Sequence, residues 1–189
     1  QRTKLLKKFR VDLSSIGGIW LLRDRTPHVS EQEGAAIQRQ QLALLKLFLQ
    51  ERQLLVAAGL YQDDVVAILK QPSYVECGDE NLPELLFDSL AASQTPGILF
   101  YCDGLNQAAE LPAKYQLLKR ASRAAQQIFP YQRIYTEQHL IFADRCQTLA
   151  ALGQEAAKPY LEVLERLHIG EEPDNDLLSI LETMLLDTQ

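Results

Sequence analysis

The chain has 189 residues, 47% hydrophobic and 23% charged, which is the composition of a packed globular protein of one large domain, or one small domain and part of another. A formal net charge of -6, with the basic residues spread along the chain, argues against a broad nucleic-acid-binding surface. No apolar run approaches the ~20 residues that span a bilayer, and the basic start "QRTKLLKKFR" leads into no apolar core or cleavage site.

Residues 3 to 10 read as a short helix end or a basic connector. "SIGGIWLLRD", 15 to 24, follows, and its run Ile19, Trp20, Leu21 and Leu22 between two glycines and a charged turn fits a buried strand. Ser30 with Glu33 makes a capping box, because the hydroxyl accepts from a backbone N–H while the Glu reaches back. Ile37, Leu44, Leu45, Phe48, Leu55 and Val56 then recur at helical spacing up to Gly59. The pattern predicts one helix over 31–58, roughly 40 Å long at ~1.5 Å per residue. Its apolar stripe exceeds what one small sheet covers, so self-pairing around a two-fold axis is the expectation.

Beyond Gly59, "DDVVAILKQ" is predicted as a short helix ended by Pro72 and "SYVEC" as a strand. "NLPELLFDSLAASQ" reads as a helix with Pro83 in its first turn and Leu85, Leu86 and Leu90 on one face. "PGILFYCDG" is the clearest strand, a dense apolar run between Pro-Gly and Asp-Gly punctuation. "NQAAELPAKYQLLKRASRAAQQIF" reads as a helix broken near Pro112, with Tyr115, Leu118, Ala121, Ser122 and Ala125 along one stripe. In "RIYTEQHLIFADR", 133 to 145, two short apolar runs flank a polar break, which suggests a hairpin over 131–143. "QTLAALGQEAAKPYLEVLERL" gives one or two helices, and "PDNDLLSILETMLLDTQ" a last one capped by Asp174 or Asn175. Strands alternating with helices predict an α/β (α+β) fold, a small mixed sheet covered by helices. Ile98, Leu99, Phe100, Ile141 and Phe142 are expected in its core.

The candidate chemistry is sparse. Cys77, Cys102 and Cys146 are an odd number at wide spacing with no Cys-x-x-Cys pair, and read as small buried residues in a reducing cytoplasm. His28, His139 and His168 have no metal-spaced partner on a shared helix face. A nucleotide-handling hairpin needs glycines that let backbone N–H groups approach phosphates, and paired acids for a divalent metal. The turn Thr136-Glu137-Gln138 has no glycine and one carboxylate; Asp144, Asp103 and Asp88 are the other acids weighed. The nucleophile elbow, the phosphate loop and the dinucleotide fingerprint are all missing. "CDG" at 102–104 follows a strand, where α/β proteins place functional acids, but Asp-Gly is also a common turn. The reading is therefore no catalytic, cofactor-binding or metal residues, and no cofactor.

Three segments carry a family resemblance. "GGIWLLRDRTPHVSEQEGAAIQRQQLALLKLFLQERQ" looks like the last strand of a sensory domain leading into a connecting helix. "LLKRASRAAQQIFPYQRIYTEQHLIFADR" looks like the middle domain, a degenerate relative of diguanylate cyclases. "AAKPYLEVLERLHIGEEPDNDLLSILETMLLDTQ" resembles the segment just before a DNA-binding end. Together they resemble bacterial transcription regulators of the purine-catabolism and sugar-diacid type (PucR/CdaR-like). The resemblance implies the end of a sensory domain at 1–30, a connecting and dimerisation helix at 31–58, and a degenerate cyclase-like α/β domain with C-terminal helices at 59–189. It also implies a non-catalytic, cytoplasmic homodimer that answers to an unknown small-molecule effector. In that family an Arg-rich helix-turn-helix follows the last helix. The present sequence starts with Gln and stops at Gln189 without one, so it reads as a fragment that reaches DNA only through a missing segment. A free-standing protein-interaction adaptor and a nucleotide-handling enzyme are the alternatives.

Overall fold

The computed structural model of the chain describes residues 15–24, 31–62, 64–71 and 81–151. The expected elements at 3–10, 73–77 and beyond 151, and the cap residues Ser30, Asp174 and Asn175, lie outside them. So do Cys77, His28 and His168.

Strand β1, Ile16–Arg23, is buried from Ile16 to Leu22. A strand sunk on both faces shows no apolar alternation, which explains its unbroken run. Gly17 is required there by a close approach: a Cβ on it would stand 2.4 Å from the Gln71 Cα and 2.8 Å from the Lys70 carbonyl oxygen. Helix α1 spans Glu31–Glu51. Its Leu45, Phe48 and Leu49 are buried against Trp20, Leu22, Val65, Ala67 and Leu69 of the sheet. The buried Gln41 amide donates to the Pro96 carbonyl at 2.7 Å, tying the helix to the start of β4.

The helix expected over 31–58 is corrected at its end. It stops at Glu51, and Leu55–Tyr61 is strand β2, in which Gly59 is an interior residue and not a stop. Gln53 takes a positive φ of 56° and turns the chain, and the Leu54 N–H caps the Leu49 carbonyl at 2.9 Å. The second correction is "DDVVAILKQ", which is strand β3, Asp64–Lys70, and not a helix. Val65, Val66 and Ile68 are β-branched, and such residues pack well on a pleated surface. A tight turn through Gln62 (φ 50°) joins β2 to β3 as an antiparallel hairpin.

Helix α2, Leu82–Ala92, begins with Pro83 in its first turn and buries Leu86, Phe87 and Leu90; Leu85 is half-buried. Strand β4, Ile98–Asp103, forms as its sequence predicts. A 3-10 turn, Ala108–Glu110, leads into helix α3, Leu111–Ile128, so Pro112 opens the helix and does not break it. The predicted stripe of Tyr115, Leu118, Ala121, Ser122 and Ala125 is buried.

The third correction concerns the hairpin over 131–143. Ile134–Tyr135 is a two-residue strand, β5, and Glu137–Ala151 is helix α4. Thr136 ends the strand and starts the helix, its carbonyl accepting from the Leu140 N–H at 3.2 Å. Leu140 and Ala143, three apart on one helix face, enter the core. Ile141 and Phe142, expected buried, are half-buried because that face is already taken. Ile98, Leu99 and Phe100 are buried as expected.

The five strands form one mixed sheet in the order β2-β3-β1-β4-β5, antiparallel except for the parallel β4–β5 pair. β1 is thus the middle strand of a sheet built largely from residues after α1. Helices α1 and α2 cover one face, around Trp20, Leu22 and Leu99. Helices α3 and α4 cover the other, around Ile19, Leu21, Phe100 and Tyr135. The α1 stripe that motivated self-pairing is therefore largely covered by the chain's own sheet, although Leu47 remains 54% exposed.

Gly104 follows β4 with φ +73° and open space where a Cβ would point. Gly104→Ala is expected to destabilise through backbone strain alone, by ~1–2 kcal/mol. Urea denaturation checks this; an unchanged midpoint contradicts it.

Candidate functional site

The buried carboxylate of Asp64 meets Arg23 where β1 ends, β3 begins and α3 crosses over them. Residues 19, 21 and 23 share one side of β1, so Arg23 continues the inward row of Ile19 and Leu21. The register that pairs Leu22 with Val65 sets Arg23 beside Asp64, the first residue of β3. The guanidinium grips the carboxylate with two bonds, Nε to Oδ1 at 2.6 Å and Nη2 to Oδ2 at 3.1 Å. Its Nη1 donates to the Ser122 hydroxyl, and its Cζ lies 5.9 Å from the centre of the Phe100 ring. The Tyr115 hydroxyl donates to Asp64 Oδ2 at 3.2 Å and approaches the Tyr61 carbonyl at 3.4 Å.

Asp64 and Ser122 are buried, whereas 25% of the Arg23 side chain meets solvent. Burial, followed by the negative charge and hydrogen bonding of Asp64, pushes the Tyr115 phenol up to about 12; Arg23 opposes this. Tyr115 therefore stays a neutral donor across the ordinary pH range. The Tyr61 and Tyr115 rings meet edge to face at 5.1 Å, and Lys119 reaches Gln62 at 2.5 Å. Tyr61, Gln62 and Asp64, at the β2–β3 turn, are thereby clamped to α3.

This cluster was missed in the sequence. One signal was available: an arginine on the inward parity of an otherwise apolar strand must find a partner, because an unpaired buried charge is too costly. Ser122 was visible as a polar member of the α3 stripe. Asp64 was not, because its segment read as helix.

The acids weighed in the sequence are dispersed. Glu137 forms an ion pair with Lys114. Asp144 forms a two-pronged pair with Arg120 at 2.5 and 2.6 Å. Asp103 accepts from the Trp20 indole at 3.4 Å; loss of water around its carboxyl, then Glu137, pushes its pKa up, and the Trp20 bond opposes that. Asp88 is exposed on α2. Among the described residues no three His, Cys, Asp or Glu side chains gather as a metal site. Cys102 is buried and Cys146 half-buried, both free thiols. Burial above all, with Glu137 adding to it, holds the Cys102 thiol up at about 12.

Gln132, Arg133, Ile134, Thr136 and His139 line an open cleft of about 400 Å³ together with Asn81, Glu84 and Tyr101. His139 is fixed there by the Thr136 N–H, which donates to Nδ1 at 3.2 Å, and by the Phe129 ring at 4.9 Å. Arg133 lies over the Phe87 ring, 5.5 Å from its centre. The cleft offers charges of both signs but not a pair of carboxylates.

No protein-family model matches the chain, and no curated protein matches it. Among the described residues no helix is long and apolar enough to cross a membrane.

Proposed function

We propose that this chain is a non-catalytic, cytoplasmic part of a bacterial transcription regulator of the PucR/CdaR-like type. In this reading it works as a homodimer. It passes the signal of a small-molecule effector to a helix-turn-helix outside the present sequence, and only that segment touches DNA. The observation that carries the reading is the state of Asp64. The β2–β3 hairpin sets the acid Asp64 beside its turn. Here both oxygens of that acid are held by Arg23 and one also by Tyr115. An internal guanidinium does the work of a counterion and locks the hairpin, which suits a part that transmits position and does not turn over substrate.

Incubation with GTP or ATP and Mg²⁺ or Mn²⁺ tests this. The expected outcome is no cyclic nucleotide or dinucleotide that depends on the protein. A product that Asp64→Asn or Glu137→Ala abolishes overturns the reading in favour of an enzyme. A second reading, a free-standing adaptor for another protein, is favoured by the exposed apolar side chains Leu47, Leu60, Tyr61 and Tyr131. The reading frame after codon 189 separates the two, since only the regulator requires it to run on into a helix-turn-helix.

A further inference from the structure

We draw no further inference here: the strongest candidate, the open cleft between the first turn of α2 and the junction of β5 with α4, carries nothing, because its charged walls, Glu84 and Arg133, are exposed side chains and nothing in the structure shows which ligand they would hold.

Discussion

Phe100→Ala is expected to lower the free energy of unfolding by about 3–5 kcal/mol, the cost of emptying a large buried site that collapses only in part. Phe100 is wholly buried on the second-to-last strand of the sheet. Its ring stacks on Tyr135 at 4.9 Å with the planes 18° apart, so the substitution strips one side of the β4–β5 contact as well as the core. β5 is only two residues long and pairs with Leu99 and Phe100, which makes side-chain packing its main hold on the sheet. Loss of slow exchange at Ile134 and Tyr135 should accompany the drop in stability. Urea denaturation measures it; a change within about 0.5 kcal/mol, the scatter of surface substitutions, contradicts this account of the core.

Arg23→Ala is expected to cost about 3 kcal/mol. Removing one partner of a buried ion pair leaves the other charge without compensation, typically at 3–5 kcal/mol. The lower end applies because a quarter of the Arg23 side chain is exposed, so water enters the space it leaves. Arg23→Met with Asp64→Leu removes both charges and should recover most of that loss, since neither charge is left buried and alone. If Arg23→Ala alone costs less than about 1 kcal/mol, the pair behaves as a screened surface pair and the clamp on the hairpin is not what holds it. The Arg23→Ala variant should also loosen the β2–β3 turn, seen as faster amide exchange at Gln62 and Asp64.

The elements that were legible in the sequence have a reason to be so. β4 lies between Pro-Gly and Asp-Gly, α2 opens on a proline, and α3 shows a stripe of the right period because one of its faces alone is buried. Two of the three errors share a cause. The chain turns through left-handed residues at Gln53, Gln62 and Gln94, where glycine or asparagine would have announced the break. With no such mark after Glu51, Leu55 and Val56 read as a further turn of α1. With none at Gln62, the hairpin went unseen. β3 is buried on one face and half-buried on the other, so Val65, Val66, Ile68 and Leu69 show no alternation and pass for a helical run.

By itself, then, the sequence determined the class: alternating strands and helices, a mixed sheet with helices over it, and the apolar content of the middle strands. Those are properties of local periodicity and composition. Which strands are neighbours, and which charges meet, only the tertiary structure decided. Arg23 and Asp64 are 41 positions apart and Arg23 and Ser122 are 99 apart. No local signal links them, because their partnership depends on β3 returning antiparallel to β1 and on α3 crossing above both. The edge of β2 is the same kind of fact. Its seven uncharged residues are ordinary inside a sheet, and they form an edge only because the chain places no described strand beyond them.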